Sequence, residues 1–183
     1  MATARLMGAS IKRREDPRFV TGKGNYTDDL KLPGMTYAAF VRSPHANAKI
    51  RKVDTAQAKA APGVVAIFTG KDMTGVNSLP CGWLLPDLKV PAHPPLATEA
   101  ARYVGDPVAI VIAESQNAAN DAADLVAVDW DVLPSVTSTE RAAQSGAPQI
   151  HEVAPGNVAF KWQIGDAGET EAAFKKADMV VKK

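Results

Sequence analysis

The stretch RYVGDPVAIVIAES, from Arg102 to Ser115, places a Gly-Asp-Pro turn before an unbroken apolar run. The segment QNAANDAADLV follows directly, and its spacing predicts a helix from Gln116 to about Val126 with Ser115 as its N-cap. The order turn, strand, helix can therefore be read from the sequence. A strand, a turn and a helix near a glycine also begin many nucleotide sites, so this stretch is the first candidate for function.

The position of Gly105 argues against a nucleotide site. Such a site needs its glycines after the strand, where backbone amides approach the phosphates at the helix N-terminus. Gly105 precedes the strand, and the link to the helix is only Glu114-Ser115, whose carboxylate would repel a phosphate. The segment TGKGNYTDD, residues 21–29, lacks the spacing of a phosphate loop, and residues 11–27 are predicted to form a turn-rich loop.

The remaining segments predict an α+β scaffold. Predicted strands cover Met35–Arg42, Ala48–Val53, the stretch VVAIFTG at 64–70, Pro107–Ala113, AVDWDVLPS at 127–135, VAFKWQIGD at 158–166 and the start of another at 179–183. A short helix is predicted after Asp54 as N-cap, and another in GETEAAFKKAD. The stretch VVAIFTG is apolar on both faces, which predicts burial on both sides. The helix from Gln116 carries an apolar stripe of Ala118, Ala119, Ala122, Leu125 and Val126.

Residues Lys71–Ala101 show no sustained periodicity, and their stretch SLPCGWLLPDLKVPAHPPLATEA holds five prolines. This composition predicts a long surface loop, and loops of that length are usually functional or partner-binding. The last predicted strand is unfinished at Lys183, from which we expect that the natural chain continues.

Composition limits the classes of function. The formal net charge is +1, with basic and acidic residues interleaved, which disfavours nucleic-acid binding. A single cysteine, Cys81, excludes an intrachain disulfide and fits a reducing compartment. The sequence has no signal-peptide pattern and no apolar run of membrane-spanning length, so a cytoplasmic protein is expected.

The side chains that could carry chemistry are scattered. The three histidines, His45, His93 and His151, would have to be gathered from three loops to bind zinc, and we do not expect this. Cys81 is expected to be an unreactive thiol. The carboxylate pair Asp28-Asp29 predicts a turn. The pair Asp129/Asp131 predicts the solvent-exposed face of a strand, whose opposite face carries Val128, Trp130 and Val132. From the residues alone, no catalytic, cofactor-binding or metal-binding residue is assigned.

Several ordered motifs nevertheless resemble the large, molybdenum-binding subunit of the xanthine dehydrogenase/aldehyde oxidase family, and most of all its carbon monoxide dehydrogenase-like branch. They are Arg14-Glu15-Asp16, GKGNYTDD at 22–29, Leu32-Pro33-Gly34, Arg42-Ser43, ANAKI at 46–50, YVGDPVAIVIAES at 103–115, AADLVAVDWDVLP at 122–134 and GNVAFKWQIGD at 156–166. The chain departs from the family pattern at Asn47, where histidine is common, and at Trp130, where tyrosine is common.

The resemblance implies an α/β-hammerhead fold, with a mixed sheet and a few packed helices. It implies an N-terminal extension at 1–13, the hammerhead domain at 14–137, and a linker with the start of the molybdenum-cofactor domain at 138–183. The parent enzyme would oxidise an aldehyde, a heterocycle or carbon monoxide with molybdopterin cytosine dinucleotide, passing electrons to iron–sulfur and FAD partners. The family's catalytic and cofactor-binding motifs match no position here, so none is carried over. A free-standing binding or assembly module without redox activity remains the alternative.

Overall fold

The computed structural model describes residues 8–181, and the chain divides into two compact units, Met1–Thr36 and Tyr37–Lys183. In the first unit, helix α1 (Asp16–Val20) and a 3-10 turn (Thr27–Asp29) lie within the charged N-terminal segment. The rings of Phe19 and Tyr26 stack with 5.4 Å between their centroids. The prediction of a plain loop over 11–27 missed α1, because five residues are too few to show an apolar period.

Within its described residues, 37–181, the second unit holds six strands in two antiparallel sheets. The strands are β1 (Tyr37–Arg42), β2 (Ala48–Asp54), β3 (Val64–Thr69), β4 (Ala100–Ala101), β5 (Pro107–Ala113) and β6 (Ala127–Val132). In the first sheet β5 lies between β1 and β3, and in the second β2 lies between β4 and β6. The predicted α+β class is confirmed.

The helices of the second unit are α2 (Ala56–Lys59), α3 (Gln116–Asp124), α4 (Thr139–Ala142) and α5 (Ala167–Lys176). Ser115 is the N-cap of α3 as predicted, since its hydroxyl accepts a hydrogen bond from the Ala118 amide at 3.2 Å. The predicted N-cap Asp54 is off by one residue. Thr55 occupies the N-cap position, while the Asp54 carboxylate accepts from the Ala56 amide at 3.0 Å.

The core lies between α3 and one face of the first sheet. Its buried members are Ala39, Ala58, Ile67, Ala109, Val111, Ala113, Ala119, Ala122 and Val126. The alanine face of α3 lets the helix approach the sheet closely, as the stripe predicts. Leu125 was wrongly included in that stripe, because it follows the last helical turn and is 42% exposed.

Two strand predictions need correction. Residues 158–166 form no strand and are mostly exposed, because no neighbouring strand among the described residues pairs with them. Residues 179–181 are likewise not a strand, and 182–183 lie outside the described range. The prediction that β3 is buried on both faces is also wrong, because only one face is covered by a helix and Phe68 is 42% exposed.

Candidate functional site

The Gly105-Asp106 turn joins the start of β5 to the end of β1. Gly105 has φ +95°, a conformation that side-chain-bearing residues rarely adopt. Its amide donates to the Ser43 carbonyl at 2.8 Å, and the Ser43 amide donates to the Asp106 carbonyl at 2.9 Å. The Arg42 guanidinium donates to the Gly105 carbonyl at 2.9 Å. The predicted turn is therefore confirmed, and its polar groups are used in holding two strands together.

Next to this turn, buried polar side chains position Arg102. The buried Asp106 carboxylate accepts from the Arg102 amide at 2.9 Å. The buried Asn47 side chain donates to the Pro134 carbonyl at 2.8 Å, which leaves its amide oxygen to accept from Arg102 Nη1 at 3.3 Å. Asn47, one of the two positions at which the sequence departs from the expected family pattern, thus links the Pro134 carbonyl to the Arg102 guanidinium.

A cavity of about 700 Å³ opens beside Arg102. Its walls come from most of residues 91–103, from Asp106 and from residues 151–153. His93 Nε2 lies 3.3 Å from the Tyr103 hydroxyl, and the two rings meet edge to face. Sequence reasoning missed this cavity, because nothing in the local sequence signals that residues near 93 and near 151 share a wall.

Two groups in the cavity have shifted pKa values. Burial, reinforced by the positive charge of Arg102, lowers the pKa of His151 below its ordinary value and so favours the neutral imidazole. Partial burial, together with the neighbouring Asp106 carboxylate, raises the pKa of the Tyr103 hydroxyl. Both groups are thereby held more firmly in their uncharged forms near neutral pH.

The cavity is lined by charged groups of both signs. The positive charge of Arg102 is accompanied by the carboxylates of Glu99, Asp106 and Glu152 in the lining. The lining holds no serine or cysteine nucleophile to pair with an imidazole base. Within residues 8–181, no group of three His, Cys, Asp or Glu side chains is placed to hold a metal ion.

The histidines are only partly brought together. His93 and His151 line the same cavity. His45 instead packs edge to face on Trp130, with 5.6 Å between ring centroids. Trp130, the second departure from the family pattern, therefore has a packing role here.

The other candidate side chains have local structural roles. Cys81 is exposed, and its thiol donates to the Trp83 carbonyl at 3.2 Å. Asp29 accepts from the Tyr26 amide at 2.8 Å and so closes the turn predicted for residues 21–29. Asp131 pairs with Arg51 at 3.3 Å on the exposed side of the second sheet.

The fold is that of an α/β-hammerhead domain, and a comparison with known families identifies it as such. Residues 21–134 match the model described as the aldehyde oxidase and xanthine dehydrogenase, a/b hammerhead domain. The chain belongs to that family. The sequence motifs that resembled it, from GKGNYTDD to AVDWDVLP, lie within or next to the matched range.

Individual relatives agree with this assignment. The chain is 41% identical to the carbon monoxide dehydrogenase large chain of Afipia carboxidovorans, over 96% of this chain and 23% of the relative. It is 37% identical to the xanthine dehydrogenase molybdenum-binding subunit of Escherichia coli O157:H7, over 89% of this chain and 22% of the relative. The aldehyde oxidoreductase structure from Desulfovibrio gigas superposes with a TM-score of 0.75 at 32% identity, covering 91% of this chain and 19% of that one.

The chain therefore matches one domain of molybdenum hydroxylase large subunits and spans about a fifth of their length. None of the helices within residues 8–181 is long and apolar enough to cross a membrane.

Proposed function

We propose that this chain is the N-terminal hammerhead domain of the large subunit of a molybdenum hydroxylase. The parent enzyme would oxidise an aldehyde, a heterocycle or carbon monoxide in the cytoplasm, with water-derived oxygen at molybdenum. Iron–sulfur and flavin partners would accept the electrons. This domain would contribute scaffold, substrate-channel and subunit-contact surface, while the cofactor performs the chemistry. The observation that carries the proposal is the match of nearly the whole chain to about a quarter of a carbon monoxide dehydrogenase large chain.

The described residues do not fit a molybdenum cofactor site. The cavity beside Arg102 has the carboxylates of Glu99, Asp106 and Glu152 in its wall, which would oppose an anionic pyrophosphate. We therefore propose that the catalytic, cofactor-binding and metal-binding residues all lie outside this chain, and no step of the reaction is assigned to it.

The domain boundaries we propose are an N-terminal extension at 1–13, the hammerhead domain at 14–137, and a linker with the start of the cofactor domain at 138–183. The exposed apolar side chains of the last segment support its assignment to a larger domain. Trp162 is 63% exposed and Phe174 on α5 is 55% exposed. Exposed large apolar side chains of this kind are typical of surfaces that a neighbouring domain covers.

The long loop from Lys71 to Ala101 and the turn from Tyr26 to Pro33 are proposed as interface or channel elements. Trp83 is 72% exposed and Leu84 is 69% exposed, and Tyr26 in the turn is 62% exposed. Hydroxyl-radical labelling of the assembled holoenzyme tests this proposal. We expect strong protection of both segments, and labelling that matches these exposed fractions would refute it.

Measuring the molybdenum, flavin and iron–sulfur content tests whether the cofactors are bound outside this domain. We expect the 183-residue chain to bind no molybdenum, flavin or iron–sulfur cluster and to be inactive, while the assembled enzyme carries all three. A stoichiometric cofactor on the 183-residue chain would overturn the proposal, and a natural reading frame that stops at Lys183 would favour the free-standing module.

A further inference from the structure

The first sheet has an apolar face that no helix covers, although Val108 at one end of this face, on β5, is fully buried. In the strand register, Phe40 on β1, Ile110 on β5 and Phe68 on β3 lie side by side in one row. Ala38, Ile112 and Ala66 form the next row on the same face. We call these six residues the outer face of the sheet, since α3 packs on the opposite side.

The outer face is well exposed at its aromatic positions. Phe40 is 46% exposed and Phe68 is 42% exposed, while Ile110 and Ile112 on β5 are partly buried. The Arg42 guanidinium lies over the Phe40 ring, 5.2 Å from the ring centroid, so a positive charge lies beside the outer face. Strands that are apolar on both faces are typical of sheets covered on both sides.

We propose that the outer face is the surface on which the rest of the large subunit docks, through an apolar surface of its own. This inference rests on the proposed function. The carbon monoxide dehydrogenase and xanthine dehydrogenase subunits compared above are about four to five times as long as this chain, which spans 22–23% of them. A covalently linked covering element is therefore available in proteins of this kind.

The size of the outer face favours this occupant over a second copy of the chain. Three strands about 4.8 Å apart and two rows of side chains define a patch of about 200 Å². A stable dimer buries about 800 Å² on each partner. A small patch is sufficient within one polypeptide, because covalent linkage makes the effective concentration of the two surfaces high.

Radical labelling of Phe40 and Phe68 in the complete natural polypeptide tests the inference, with the urea-unfolded protein as the reference. If nothing covers the outer face, the exposed fractions of 46% and 42% correspond to about twofold protection. Docking predicts at least about tenfold protection of both rings, close to that of Val111, which is fully buried. Protection of about twofold, or protection that disappears on tenfold dilution as for a second copy, would overturn the inference.

A variant gives a second readout. Phe68→Glu places a charge on the outer face at a side chain that is 42% exposed, and we expect it to reduce the yield of assembled enzyme at least about tenfold. Val132→Glu, at a residue of the other sheet that is 59% exposed, is the matched control and is expected to stay within about twofold. Equal yields for the two variants would contradict docking on the outer face. If both rings are protected but the complete protein holds no molybdenum, only the proposed function is refuted. If the complete protein holds molybdenum but the rings of Phe40 and Phe68 are not protected, only the docking is refuted.

Discussion

Gly70 directly follows β3 and lies against residues 97–98 of the segment before β4. A Cβ atom at this position would lie 2.5 Å from the Ala97 carbonyl oxygen and 2.8 Å from Thr98 Cα. These are backbone atoms, so the clash could be relieved only by moving the segment. The Ala97 amide also donates to the Pro107 carbonyl at 2.7 Å, which ties the same segment to β5.

We therefore expect Gly70→Ala to lower the free energy of unfolding by about 1–3 kcal/mol. Gly82→Ala is the matched control, because Gly82 has open space around it and no positive φ. Its effect should be within about 0.5 kcal/mol. Urea unfolding of both variants measures the difference, and equal midpoints would show that the close approach at Gly70 is not real.

His151 makes the stability of the domain depend on pH. Its pKa in the folded chain lies below 6.5, its ordinary value, because of burial and the charge of Arg102. The unfolded chain therefore binds more protons in the window between these two pKa values. The free energy of unfolding falls as the pH drops through 6.5, and the loss is complete below the folded pKa.

The variant His151→Gln removes this titration. From pH 7.5 to pH 5 we expect the wild-type protein to lose stability relative to the variant, as measured by urea midpoints at both values. A wild-type protein that gains stability relative to the variant on acidification would contradict the sign of the shift.

Among the elements, α3 is the one that the residues close to it in the sequence predict best. Ser115 as N-cap, the start at Gln116 and the buried alanine face were all predicted and are all observed. Each depends on residues close together in the chain, through capping and helical periodicity. The strand β5 was predicted for the same reason.

The N-cap of α3 can be tested directly. Ser115→Ala should lower the free energy of unfolding by about 1 kcal/mol, because the hydrogen bond to the Ala118 amide is lost at the start of a helix that packs on the core. Ser138→Ala is the control, since Ser138 caps the four-residue α4, which has no buried residue. The control should change stability by less than about 0.5 kcal/mol. Thermal or urea unfolding separates the two, and equal losses would contradict this account of α3.

The elements that could not be predicted depend on distant contacts. The stretch VAFKWQIGD alternates as a strand does, but it pairs with no strand among residues 8–181. The Ala159 carbonyl and the Lys161 amide instead bond to residues 87–89. The two faces of β3 are equally apolar, so the sequence does not show which one a helix covers. Likewise, the shared cavity of His93 and His151 depends on tertiary placement, which no local pattern encodes.

At the scale of the whole molecule, the uneven distribution of burial is the main feature. The hammerhead elements enclose a core, whereas residues 158–181 contribute no buried residue. In the 183-residue chain we therefore expect the amides of α5 to exchange with solvent at least about tenfold faster than those of α3, as measured by hydrogen–deuterium exchange. Equal exchange rates would mean that α5 is stabilised by contacts that the structure lacks.

We propose that this chain is one domain of a larger molybdenum enzyme and holds none of its catalytic residues. The most direct test of this proposal is the length and metal content of the natural polypeptide that carries this sequence, measured by intact mass and molybdenum analysis of the purified protein. The account predicts a subunit about four to five times the length of this chain, with stoichiometric molybdenum. A natural polypeptide that ends at Lys183, or a longer one that assembles without molybdenum, would contradict it.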